Sequence, residues 1–187
     1  MSEVCRTMYM QSENGFTLVE LLITIVVISV LLATAVPSFM QFVKNNRITS
    51  QANSFVVSTQ MARNEAVKRG AGTTLCAANA DLDDCSGSTD WSSGWIAFSD
   101  LNRDGDIDAG TEACLETEDC LIQAVAGPTR STLTADSSSI QFLPTGHTSH
   151  DEVILILRAD DCEYQQERQI RITPQGHTNI IEQDCNS

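Results

Sequence analysis

The chain has 187 residues and a formal net charge of −14, with 25 acidic side chains against 11 basic ones. Phosphate binding depends on Lys and Arg, so this balance argues against nucleic acid and anionic lipid as partners of the folded domain. The length gives room for one long helix and one globular domain.

Residues 1–15 contain Glu3, Glu13 and Arg6, with Met8 and Met10 as further candidate starts. From Leu21 to Met40 there is no charged residue, a length sufficient to cross a bilayer as a helix. Glu20 stands at the edge of this apolar run. Burying a lone carboxylate in hydrocarbon costs about 3 kcal/mol, so Glu20 asks for a partner. Ala33-Thr34-Ala35 has the small residues of a signal-peptidase site. The net negative charge before the apolar run, and a glutamate at its head, suit secretion poorly.

Gly15-Phe16-Thr17-Leu18-Val19-Glu20 resembles the processing signal of type IV pilins and of the pseudopilins of type II secretion. The resemblance implies cleavage between Gly15 and Phe16 by a prepilin peptidase and methylation of the Phe16 amine. It also implies a role for Glu20 in filament assembly. Physically, Glu20 would pair with the N-terminus of a neighbouring subunit, which offsets the desolvation of both charges and fixes their register. Pro37 falls where many pilins kink their first helix.

Beyond Pro37 the helical pattern continues. Ala52, Phe55, Val56, Thr59, Ala62, Ala66 and Val67 recur at three- and four-residue steps and draw one apolar stripe. Lys68, Arg69 and Gly70 form a stop signal. Phe16 to Arg69 as a single helix would be about 80 Å long at 1.5 Å per residue. Phe39 and Phe42 stand near the expected membrane interface.

From Thr73 short β-like runs alternate with turn clusters. The expected strands are Thr73–Ala78, Gly94–Ser99, Leu121–Ala126, Ser139–Leu143, Glu152–Arg158, Arg168–Thr173 and Thr178–Glu182. Loops are expected at 79–93, 100–118 and 127–138, with Gln165-Gln166-Glu167 as a hairpin turn. No internal repeat stands out. Trp91 and Trp95 are expected to fill the core between helix and sheet. The fold class is α+β, a long N-terminal helix laid on an antiparallel sheet, as in type IV pilins.

Residues 60–70, then Leu75-Cys76 and Trp95-Ile96-Ala97-Phe98-Ser99-Asp100, are similar to the GspH/FimT branch of minor pilins and pseudopilins. The implied organisation is a leader at 1–15, a membrane-spanning helix half at 16–37, an amphipathic half at 38–70 and a periplasmic β-rich domain at 71–187. The implied place is the bacterial inner membrane, crossed once, or an extracellular pilus. The implied partners are other pilins or pseudopilins in a helical filament and the prepilin peptidase. One arm of this family works in DNA uptake through a Gly-Arg-x-Arg motif. The comparable stretch here is Gly176-His177-Thr178-Asn179, and Arg168 and Arg171 lie three apart on a strand, facing opposite sides. No nucleic acid is expected.

Removing the leader takes Cys5 and leaves Cys76, Cys85, Cys114, Cys120, Cys162 and Cys185, an even set suited to disulfides in an oxidising compartment. Spacing alone does not fix the connectivity. Pairing in chain order, 76–85, 114–120 and 162–185, is the reading adopted because each pair brackets a polar, turn-rich loop. No Cys-x-x-Cys or matching His spacing points to zinc. One metal-like motif is present: Asp100, Asn102, Asp104, Asp106 and Asp108, with Gly105 at the sixth position and Ile107 at the eighth. This follows the grammar of a calcium loop, except that Thr111 stands at the twelfth position. A metal-free Asx-rich turn uses the same residues. A calcium ion here would brace the loop. No catalytic constellation and no cofactor motif is found. The reading is a structural filament subunit of a pilus or a secretion pseudopilus, and no enzyme. The alternatives are a DNA-uptake pilin and a secreted calcium-binding module.

Overall fold

The computed structural model describes residues 15–108 and 119–185. It divides into two compact units, one ending at Gln41 and one beginning at Phe42. A single helix, α1 (Leu18–Arg69), runs through the end of the first and the start of the second.

In the first unit, α1 opens with a cap. Thr17 Oγ1 accepts from the Glu20 amide at 3.2 Å and the Thr17 carbonyl accepts from Leu21 at 3.1 Å. Thr17 and Glu20 are spaced as a capping box. Every side chain from Leu18 to Met40 is exposed. The hydroxyls within this apolar stretch bond back to their own helix: Thr24 to the Glu20 and Leu21 carbonyls, Ser29 to Ile25, Thr34 to Leu31. Such back-bonding leaves few unsatisfied donors on an apolar surface. Pro37 sits inside the helix and removes one backbone donor.

In the second unit, α1 buries Ile48, Ala52, Phe55, Ser58, Thr59, Ala62 and Ala66, which recur at three- and four-residue steps apart from the adjacent pair Ser58 and Thr59. Val56 is only partly covered and Val67 is exposed, so the stripe is narrower than the sequence pattern suggested. The helix ends at Arg69, where Gly70 takes a φ of 65°.

Eight strands follow: β1 (Gly72–Ala77), β2 (Gly94–Asp100), β3 (Cys120–Ala126), β4 (Ser131–Ala135), β5 (Ser139–Phe142), β6 (Val153–Ala159), β7 (Glu167–Ile172) and β8 (Thr178–Gln183). They form two antiparallel four-stranded sheets, where one sheet was expected. Their orders are β3-β2-β1-β5 and β4-β6-β7-β8. The sequence reading placed β4 in a loop, because Ser-Thr-Leu-Thr-Ala has one large apolar residue. Pairing with β6, Leu133 against Leu157, makes it a strand. Glu167 was expected in a turn and instead begins β7, buried opposite Arg158.

The main core lies where α1 meets both sheets. Phe55 packs edge-on to Trp91 and Trp95, with ring centroids 5.7 and 5.2 Å apart. Leu75, Leu133, Ile140, Leu155, Leu157 and Ile170 complete it. A second, smaller core of Cys76, Ala78, Ile96 and Phe98 is covered by Leu82, Cys85, Ile107 and Leu121.

The structure also exposes a repeat that the sequence reading passed over. Pro144-Thr145-Gly146-His147-Thr148 and Pro174-Gln175-Gly176-His177-Thr178 share one turn geometry. In each, a glycine amide bonds back three residues at 2.8 Å, to Leu143 or Thr173, and that same residue's amide bonds the histidine carbonyl. The turns adjoin through Thr148 N and Pro174 O at 2.9 Å, and Arg63 of α1 donates to the Gly146 carbonyl at 2.8 Å.

Candidate functional site

The features with functional content fall at the head of α1, at the cysteines and in the loop after β2. Gly15, Phe16 and Thr17 precede the first helical turn. Phe16 is 83 % exposed and a Cβ on Gly15 would meet nothing within 4 Å. Glu20 lies in the first turn, and among the described residues its carboxylate has no hydrogen bond or ion pair.

Cys76 is bonded to Cys85 and Cys162 to Cys185, each with Cα atoms 5.7 Å apart. The first ties β1 to the loop that covers the smaller core. The second ties the turn after β6 to the chain after β8. Cys120 is also disulfide-bonded, and Cys114 lies outside the described residues.

The loop after β2 begins at Asp100, fully buried, whose Oδ2 accepts from Thr74 Oγ1 at 2.6 Å, Gln141 Nε2 at 3.0 Å and Gly105 N at 3.2 Å. Asn102 Nδ2 donates to Asp104 Oδ2 at 2.8 Å and to Asp108 Oδ2 at 3.0 Å. The Asp106 amide donates to Asp104 Oδ1 at 3.0 Å, and the Asp106 side chain is exposed. Arg103 and Gly105, with φ of 63° and 85°, bend the loop sharply. Asp119, which the sequence reading did not single out, is buried and accepts from the amides of Leu101 at 2.9 Å and Asp108 at 3.3 Å. Among the described residues no three Asp, Glu, His or Cys side chains are gathered closely enough to hold a metal ion.

Arg158, Arg168 and Arg171 are all engaged. Arg168 is buried, donating to the Gln165 and Glu167 carbonyls at 2.7 and 2.9 Å and pairing with Glu182 at 3.1 Å. Arg171 pairs with Glu152 at 3.5 Å and Arg158 with Glu167 at 3.7 Å. On α1, the Arg69 hydrogen bond, together with Lys68, holds the Glu65 carboxyl below its ordinary range despite partial burial.

A family model described as type II transport protein GspH matches residues 51–176, more than half of the chain. The chain belongs to the GspH family. A second model, the prokaryotic N-terminal methylation motif, matches residues 10–36 of this GspH-family chain and so covers Gly15, Phe16 and Glu20. Together these make it a minor pilin or pseudopilin, a structural filament subunit anchored in a membrane by its apolar N-terminal helix. Its fold is similar to that of the type IV minor pilin FimU of Pseudomonas aeruginosa, seen in two crystal forms. One gives a TM-score of 0.55 at 19 % identity, covering 75 % of this chain and 92 % of that one. The other gives 0.50 at 18 % identity, covering 71 % and 91 %. The minor pseudopilin EpsH from the type 2 secretion system of Vibrio cholerae gives 0.46 at 10 % identity, covering 73 % and 97 %. No curated protein matches the GspH-family chain.

Proposed function

We propose that this subunit is made with a leader ending at Gly15, cut by a prepilin peptidase and methylated on the new Phe16 amine. Residues 16–37 cross the bacterial inner membrane and residues 71–187 stand in the periplasm. Its mechanism is stacking: apolar helices leave lipid to pack against those of other pilins or pseudopilins, and no substrate is turned over. The observation that carries this reading is Glu20, an unpartnered carboxylate within a matched methylation motif, at the start of a helix whose apolar side chains are uncovered.

The energetics support the pairing. Carrying Glu20 into an apolar filament core costs about 3 kcal/mol if it goes alone. A neighbour's amine at hydrogen-bond distance offsets most of that and penalises every other register. Because Thr17 already caps the helix, Glu20 is free for this task.

The test is the N-terminus of the mature protein. Mass spectrometry of protein recovered from membranes should show a chain beginning at N-methylated Phe16. A chain beginning at Val36, after the Ala33-Thr34-Ala35 site, would sink the reading. Sheared pili and secreted proteins, counted from cells with the gene deleted and restored, then separate pilus from secretion pseudopilus.

A further inference from the structure

An open sheet ends at two strands, and a bare edge offers a row of unpaired amides and carbonyls to any other strand. In this fold the chain covers its own edges at β4 and β5. Along β4, the Trp91 amide donates to the Leu133 carbonyl at 2.8 Å and the Ala135 amide to the Thr89 carbonyl at 2.9 Å. Along β5, the Ser149 amide donates to the Gln141 carbonyl at 3.0 Å.

β8, the last strand of the second sheet, is different. It pairs with β7 in unbroken register from Ile172–Thr178 to Glu167–Gln183. Among the described residues no backbone group of β8 bonds to any element but β7. The devices that usually blunt such an edge are missing: β8 holds no proline, no lysine and no bulge. Ile180 and Ile181 project to opposite faces, and both are uncovered, 36 % and 41 % exposed. Ile180 stands opposite the fully buried Ile170, so the apolar layer of the core runs out to this edge without being closed there. The strand's one charge, Glu182, is balanced by Arg168 at 3.1 Å.

The strand is also self-complementary. Two antiparallel copies related by a two-fold axis along the sheet normal keep opposed side chains on one face. With the axis at Ile180, that residue faces its own copy, Asn179 faces Ile181 of the partner subunit, and Thr178 faces Glu182 of the partner subunit. No like charges oppose, and each carboxylate meets a hydroxyl. An axis at Ile181 would instead set Ile180 against a carboxylate.

We infer that β8 docks a second copy of this chain, edge to edge and antiparallel about Ile180, joining the two β4-β6-β7-β8 sheets into one. Because Arg168 balances Glu182, two acidic domains bring no net charge to the seam itself. The contact is separate from the stacking of apolar helices and needs neither Glu20 nor the segment before Gln41.

The test uses the full chain in detergent micelles, in a Cys5→Ser background. Ile180→Cys and Ile181→Cys are oxidised under matched mild conditions. The register sets residue 180 against its copy, whereas residue 181 and its copy stand two positions apart, too far to bridge. Ile180→Cys should therefore form disulfide-linked dimer at least about tenfold faster. Ile180→Lys, which opposes two lysines across the axis, should weaken dimerisation in sedimentation equilibrium by about tenfold or more, with the circular dichroism spectrum unchanged. Cross-linking at equal rates in the two cysteine variants would overturn the inference, because association through α1 or chance collision does not select a register. So would an unmodified chain that sediments as a monomer at high concentration, which would leave the β8 edge to a strand from a different subunit.

Discussion

Arg168 offers the sharpest test of how the second unit holds together. Its side chain is 3 % exposed, while its ionic partner Glu182 is 62 % exposed. The geometry gives the arginine two kinds of work. It donates to the Gln165 and Glu167 carbonyls, and it reaches Thr49 of α1 at 3.4 Å, joining the second sheet to the helix. The ion pair lies at the solvent edge. Replacing Arg168 with Met keeps the stem and removes every donor. Two charge-assisted hydrogen bonds at ~1.5–3 kcal/mol each put the loss at about 3–6 kcal/mol. Glu182→Gln removes only the exposed pair and should cost about 0–1 kcal/mol.

Urea unfolding of the full chain in micelles, followed by Trp91 and Trp95 fluorescence, measures both. At a slope of about 2 kcal/mol per molar, Arg168→Met should move the midpoint by roughly 1.5–3 M, and Glu182→Gln by less than about 0.5 M. Added salt should leave the first difference nearly unchanged, because the carbonyl contacts are shielded from solvent. Equal shifts in the two variants would refute the reasoning, showing that the ion pair, and not the carbonyl net, secures Arg168.

Phe55→Leu stays apolar but loses some volume and two edge-on aromatic contacts, and should cost about 1–3 kcal/mol in the same urea assay. Gly176→Ala should be far worse than Gly105→Ala, and paired thermal melts read the difference. At Gly176 a Cβ would stand 2.4 Å from the Gly146 carbonyl, whereas at Gly105 it meets nothing within 4 Å and only the left-handed φ is strained. Glu65 has a folded pKa below its unfolded one, so its contribution is present above about pH 4.5 and fades as pH falls through the lowered value. Glu65→Gln should therefore flatten that part of the midpoint-versus-pH curve, by under about 1 kcal/mol because Lys68 and Arg69 are solvent-exposed.

What could be read from the sequence was what local chemistry decides. The apolar stripe of α1 and its Lys68-Arg69-Gly70 stop are periodic or positional signals, and seven of the strands are runs of β-formers between turns. The split into two sheets was not readable. β5 pairs with β1, more than sixty positions earlier, and no local pattern tells Ile140 to sit opposite Leu75. β4 was hidden for the same reason, since its strand character comes from β6. The twin turns were readable and went unread: Pro-x-Gly-His-Thr recurs thirty positions apart, and each glycine is needed for a positive φ. Asp119 carried no signal, because clamping Leu101 and Asp108 is a property of the folded loop alone.

The two halves of α1 answer to different solvents, and this division explains why such a helix suits a filament. The core of the second unit draws on α1 only from Ile48 onward, with small Ala52, Ala62 and Ala66 letting the helix sit close to the sheets. The apolar side chains before that point add nothing to the folding energy of this unit. They must therefore be covered by something other than their own chain. Lipid can cover them, and so can the same segment of a neighbour, with nearly equal hydrophobic gain. Because apolar burial barely distinguishes these two environments, the choice passes to polar groups. Thr24, Ser29 and Thr34 abstain by bonding their own helix. That leaves Glu20, whose carboxylate is costly in lipid alone and which, in the pairing proposed above, would be satisfied beside a neighbour's amine. A single acid can thus tip an otherwise balanced equilibrium toward assembly and set its register.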